Sequence, residues 1–158
     1  MADPQLQQLP EDLRSRVAEL SDAGNELTED GQLAEAQQSF ERALALFPEP
    51  AEQWEGRTEL LAAVGDVLFS SGKFSDALSW LERAAKAPEA EESAWLELRL
   101  GQVLHELGDT RGSQHLARAL ELGGPEQFDD EDPKYFGVAS SLVEPPAGYA
   151  SWDEARLP

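Results

Sequence analysis

One arrangement of glycines and small residues occurs three times in this chain. Gly24 and Gly31 are separated by six residues and followed by Ala36, Phe40, Ala43 and Pro48. Gly65 and Gly72 have the same separation and are followed by Ala77, Leu81, Ala84 and Pro88. Gly101 and Gly108 repeat it again, followed by Gly112, Leu116 and Ala119. Internal repetition constrains architecture more strongly than any local motif. One supersecondary unit that cannot bury its apolar face alone does so by stacking on its neighbours.

The spacing of apolar residues makes each unit a pair of helices. Leu13, Val17, Leu20, Gly24 and Leu27 recur at three- and four-residue intervals, which is one face of a helix. Pro10 with Glu11 and Asp12 is its start, since proline fits a first turn and acids favour the positive end of the helix dipole. Asp30-Gly31 breaks it, and Leu33, Ala36, Phe40, Ala43, Leu44 and Phe47 form the stripe of a second helix ended by Pro48 and Pro50. A second pair carries Leu60, Leu61, Val64, Gly65 and Leu68, then Phe74, Ala77, Leu78, Leu81 and Ala84, with Ser71-Gly72 as its turn. A third carries Leu96, Leu100, Gly101, Leu104 and Leu107, then Leu116, Ala119 and Leu120, with Gly123-Gly124-Pro125 as its stop.

A glycine inside a helix costs about 1 kcal/mol relative to alanine. Three in equivalent places, Gly24, Gly65 and Gly101, imply a shared close approach between the helices of each pair. The small residues Ala36 and Ala77 are expected opposite them.

These residues resemble the tetratricopeptide repeat, whose two antiparallel helices carry a small residue at the eighth position, a turn near the fifteenth, and apolar residues at positions 20, 24 and 27. Gly24, Gly65 and Gly101 match the eighth position, and Gly31, Gly72 and Gly108 the turn. The resemblance covers about residues 13–124. It departs from the family's 34-residue period, since the eighth-position glycines are spaced by 41 and then 36 residues. The insertion PEPAEQWEGRTEL either lengthens the first helix of pair two or adds a loop carrying Trp54. Repeat three looks one residue short in its second helix, where Gly112 and Ser113 replace the usual alanine. That helix is expected to be the weakest of the six.

Beyond Pro125 the sequence is no longer repeat. Asp132-Pro133 suits a helix start, with Tyr135, Phe136, Val138 and Leu142 as the apolar face. Such a helix would cover the exposed side of the last repeat. Pro145-Pro146 then directs an extended tail anchored by Tyr149 and Trp152. Trp152 either folds back on the cap or enters the groove, and folding back is favoured because ordered aromatic termini are tied down. The EDPKYF segment with its proline and tryptophan tail is similar to small bacterial tetratricopeptide proteins that serve as immunity partners of Rhs-type polymorphic toxins.

The fold expected is therefore all-α: a solenoid of three antiparallel helix pairs with a C-terminal capping helix and an extended tail. It is taken as one domain over residues 1–158, with a flexible stretch 1–9, the pairs within 10–124 and the cap and tail within 125–158.

Charge limits the partner. The net charge is −20, from 32 acidic and 12 basic residues. Phosphate-rich nucleic acid and anionic membrane surfaces would be repelled, and a basic protein attracted; a plain solvated coat accounts for the same acids. There are no cysteines, which excludes disulfides, thiolate metal sites and a cysteine nucleophile. The N-terminus has no secretory pattern and no apolar run reaches bilayer length, so a cytoplasmic location is expected.

Little in the sequence can carry catalysis. His105 and His115 fall in different helices without a spaced metal partner. GQLAEA, GKFSDA and GDTRGS are turns without P-loop spacing, and DDED lacks the glycine and closing glutamate of a calcium loop. No enzyme activity, cofactor or metal is expected. The family resemblance instead implies a concave groove lined by the second, fifth, ninth and twelfth positions of each first helix. These are Ala18, Ser21, Asn25 and Thr28; Glu59, Ala62, Asp66 and Phe69; and Trp95, Leu98, Gln102 and His105. Of these, Asn25, Thr28, Glu59, Asp66, Phe69, Trp95, Gln102 and His105 are the candidate contacts, with Trp54, Tyr149 and Trp152 as additional ones. Trp95 and Phe69 are the expected hot spots, although Trp95 equally suits packing on the next helix. The family's clamp for acidic C-termini is not reproduced: Asn25 and Arg99 match it, whereas Ser21, Trp95 and Ala63 stand where two lysines and an asparagine are required. Glu59 and Asp66 would repel an acidic peptide. The function expected is stoichiometric binding of a protein: an immunity protein that neutralises a basic toxin domain, or an adaptor or secretion chaperone that holds a polypeptide in the groove.

Overall fold

The computed structural model describes residues 5–156. It is helical, with α1 (Glu11–Glu29), α2 (Leu33–Leu44), α3 (Arg57–Ser70), α4 (Phe74–Ala85), α5 (Ala94–Glu106), α6 (Arg111–Gly123), α7 (Pro133–Leu142) and α8 (Trp152–Ala155). Single 3-10 turns lie at Ala51–Gln53, Pro88–Ala90 and Pro125–Phe128. Its contacts divide it into two compact units, one as far as Glu91 and one from Glu92 onward.

In the first unit α1 packs on α2, α2 on α3 and α3 on α4. Its core is built by Phe40, Leu60, Leu61, Val64, Leu68 and Leu81, all but withdrawn from solvent. In the second, α5 packs on α6 and α6 on α7, around Leu96, Leu100, Leu104, Leu116 and Leu120. The three turns are alike. Gly31, Gly72 and Gly108 have φ of 77°, 75° and 73°, left-handed values that glycine adopts without strain. The following amide in each case bonds back five residues, Gln32 to Leu27, Lys73 to Leu68 and Asp109 to Leu104.

The repeated helix glycines do mark close approach, but a larger residue than alanine makes the nearest contact, with the Ala77 carbonyl oxygen 3.5 Å from the Gly65 position as the one alanine contact. A methyl group on Gly24 would meet the Phe40 ring at 2.5 Å, one on Gly65 the Leu81 side chain at 2.6 Å, and one on Gly101 the Leu116 side chain at 2.6 Å. The large residue one turn beyond the expected alanine fills the contact.

Pair three differs at the start of its second helix. Ala36 and Ala77 donate to carbonyls four residues back, Gln32 and Lys73, whereas Gly112 donates to Asp109, three residues back. The missing residue of repeat three is thus taken out of the first turn, and α6 still runs thirteen residues. The tightened turn brings Gly112 against α5 itself, where an added methyl would lie 2.8 Å from the His105 nitrogen and 2.9 Å from the Gly101 oxygen. Gly112 is therefore required by proximity, whatever its helix propensity.

The insertion before α3 is a loop and does not extend the helix. Its Trp54 is half-buried, and its indole donates to the Pro48 carbonyl at 2.8 Å. The stretch before α1 was expected to fray, yet Gln7 bridges to this loop: its N–H donates to Gln53 O at 2.8 Å and its carbonyl accepts from Glu55 N at 2.9 Å. Leu9 is buried at 5 % exposure; residues 1–4 lie outside the described residues.

At the other end, Asp132 caps α7 as its sequence suggests, with its carboxylate accepting from Lys134 N at 3.0 Å. The buried face of α7 is Tyr135 and Ala139, while Leu142, assigned to that face by periodicity, is 57 % exposed at the helix end. The tail is extended only at first, then closes into the single turn α8. Trp152 folds back on the cap, edge-on to Phe136 with centroids 6.0 Å apart and its indole donating to Val143 O at 2.7 Å.

Candidate protein-binding site

The first helices of the pairs supply the candidate contacts. In the first unit, Val17, Ser21 and Asn25 of α1 face Glu59, Leu60 and Ala63 of α3 across a cleft of about 290 Å3 floored by Phe40. Asn25 and Glu59 are both exposed and share this cleft. Its wall is apolar, its rim offers an amide and a carboxylate, and Ser21 adds a hydroxyl. That combination accepts a side chain with a polar or cationic end and an apolar stem.

The other candidates of this unit are differently placed. The Thr28 hydroxyl donates to the Gly24 carbonyl one turn earlier at 2.8 Å, so its hydrogen is committed within α1. Asp66 and Phe69 are half-buried, and the Phe69 ring lies 5.7 Å from that of Phe74 across the α3–α4 turn. None of the three lines the cleft.

In the second unit Trp95 is 38 % exposed, with the Arg99 guanidinium 5.4 Å from its ring centroid. Gln102 is fully buried and stands apart from any surface contact. Its amide oxygen accepts from Arg99 Nη1 at 2.6 Å and its amide nitrogen donates to Glu131 Oε2 at 2.8 Å. Arg99 also pairs with Glu131 at 3.1 Å, so this arginine ties α5 to the segment before α7. His105 is half-buried with its ring edge-on to Tyr135, centroids 5.7 Å apart. Beside it, Glu106 accepts from the Tyr135 hydroxyl and pairs with Lys134 Nζ, both at 2.5 Å. The Lys134 ammonium first, then the Tyr135 hydroxyl, hold the Glu106 carboxyl below the ordinary range, and burial first, then its bond to Glu106, raises the Tyr135 phenol. Tyr149 is 48 % exposed.

Sequence reasoning missed Glu131 and Glu106. Each is one acid among many, and only the packing of α7 and its approach segment selects them.

Residues 20–90 match the tetratricopeptide repeat family model. That stretch carries tetratricopeptide repeats. No curated protein sequence matches it. Among solved structures, PcrH of Pseudomonas aeruginosa is similar at a TM-score of 0.58 and 19 % identity, over 84 % of this chain and 88 % of that one. The N-terminal domain of stress-induced protein-1 from C. elegans gives 0.61 at 16 % identity, over 85 % and 100 %. A C-terminal tetratricopeptide-repeat domain from Plasmodium falciparum, of a protein assigned to the FK506-binding proteins, gives 0.65 at 14 % identity, over 82 % and 87 %. At these identities the likeness is one of fold.

Tetratricopeptide repeats form protein-binding modules, in which first-helix side chains present the binding surface. Among the described residues no group of three or more histidine, aspartate or glutamate side chains is disposed to hold a metal ion, and no helix is long and apolar enough to cross a membrane.

Proposed function

We propose that this chain is a non-catalytic, cytoplasmic binding module that captures a basic protein, and that the protein captured is a bacterial polymorphic toxin domain which it neutralises. The observation carrying the capture of a basic partner is the cleft that sets Glu59 beside Asn25 over an apolar floor, in a chain of net charge −20. Such a field speeds encounter with a cationic surface, and a buried apolar contact then slows release. The neutralising role is supported by the EDPKYF tail resemblance and needs no catalytic residue.

The alternative reading is an adaptor or secretion chaperone that holds an extended segment. It is favoured by the cleft's volume of about 290 Å3, which suits single side chains of an extended polypeptide better than a folded surface.

A pull-down from the native organism, washed at low and then high salt, tests both readings. One basic toxin domain retained in salt, with its toxicity abolished by stoichiometric addition of this protein, supports neutralisation. Several unrelated partners lost in salt support the chaperone reading. Glu59→Lys is expected to weaken capture at least tenfold, and undiminished capture would remove the cleft from either account.

A further inference from the structure

The five basic residues after Glu91 are all paired with carboxylates: Arg99 with Glu131, Arg111 with Asp109, Arg118 with Glu97, Lys134 with Glu106 and Arg156 with Asp129. That is the expected outcome where acids outnumber bases by 32 to 12. Before Glu92 the pattern breaks. Arg57, Arg83 and Lys86 line one cavity of about 300 Å3, and none of the three forms an ion pair among the described residues.

The cavity lies between the insertion loop, the first turn of α3 and the end of α4. Two acids share its lining, Glu52 and Glu89, which leaves it one net positive charge; the Glu89 carboxylate accepts from the Thr58 hydroxyl at 2.6 Å. The Arg83 guanidinium sits 4.4 Å from the Trp80 ring centroid. A guanidinium held over an aromatic face keeps its in-plane N–H groups for another acceptor. The Trp54 indole, fixed by its bond to Pro48, forms a wall with Pro88.

We propose that this cavity binds a small organic phosphate monoester, with its phosphate on Arg57, Arg83 and Lys86 and its flat or apolar body against Trp54. A phosphate monoester brings about two negative charges and three acceptor oxygens, enough to engage three cations at once. Arginine forks match phosphate oxygens in bidentate geometry. A carboxylate offers two acceptor oxygens in one plane where a phosphate offers three, and a nucleic-acid polymer would be repelled by the chain as a whole. The ligand is therefore small and free in solution.

The test is calorimetric titration at low salt of the full chain with adenosine monophosphate and phenyl phosphate, with the Trp54 indole N–H followed by NMR. Saturable binding of either ester that shifts this signal is expected, at least tenfold tighter than inorganic phosphate or succinate. Arg83→Gln and Lys86→Glu, both at exposed positions, are each expected to weaken it at least tenfold, whereas Arg42→Gln outside the cavity leaves it unchanged. Far-UV circular dichroism confirms that each variant is folded. No saturable binding below about 10 mM, binding indifferent to both cavity variants, or equal binding of inorganic phosphate or succinate would overturn the proposal.

Discussion

At Gly112 an added methyl would press on the His105 nitrogen and the Gly101 carbonyl oxygen, backbone atoms that cannot give way unless α5 moves. Gly31 presents the opposite case: a methyl there meets nothing within 4 Å, and the only penalty is its left-handed φ of 77°. Gly112→Ala is therefore expected to destabilise by about 2–3 kcal/mol, as overpacking does, and Gly31→Ala by about 1 kcal/mol. Urea midpoints of the two variants measured side by side check the order. The glycine spacing made the close approaches legible in the sequence, because three copies in equivalent places have no other common cause. What each glycine touches was not legible. Periodicity assigns a residue to a face and leaves open which turn of the partner crosses it, and so Phe40, Leu81 and Leu116 take the place expected for alanine.

Helix α7 shows the same division at the next scale. Its start could be read, since Asp132-Pro133 is a local signal and the cap forms locally. Its attachment could not, because the Glu106 that receives Tyr135 and Lys134 lies 29 residues from Tyr135 on α5. That attachment is pH-dependent. The Glu106 carboxyl titrates below its ordinary 4.5, so the folded state favours the carboxylate. The contribution is complete above the ordinary value and fades as pH falls through the lowered one. Hydrogen exchange of α7 amides is expected to quicken, relative to α6, as pH falls below the ordinary 4.5 of this carboxyl. Glu106→Gln should quicken it already at neutral pH and flatten that acid dependence. Tyr135→Phe, which removes one hydrogen bond, is expected to cost about 1 kcal/mol. The Asn25–Glu59 cleft was legible for a related reason: both residues sit on first helices whose phase the repeat sets. Buried Gln102 has the same phase, and its amide is taken up by Arg99 and by Glu131 of the segment before α7.

Across the whole molecule the dominant quantity is a net charge of −20. Unscreened, it strains the compact state by self-repulsion. Raising sodium chloride from about 10 mM to about 150 mM shortens the Debye length from roughly 30 Å to 8 Å, and the melting temperature is expected to rise across that range. Differential scanning fluorimetry reads this directly, and a fall would mean that the ion pairs of the second unit outweigh the repulsion. The charge and the repeat were both plain in the sequence. The cationic cavity was not, since Arg57, Arg83 and Lys86 are spread through an acidic background and are gathered by the turn from α3 to α4. The shortened first turn of α6 has a consequence of another kind. Arrays of this type invite shuffling, with one module exchanged for another as an interchangeable part. Here the third module is cut to a different pattern, and a chimaera that imports α2 or α4 with its leading turn in place of α6 and its own would bring an alanine, and one extra residue ahead of it, into a gap made for neither.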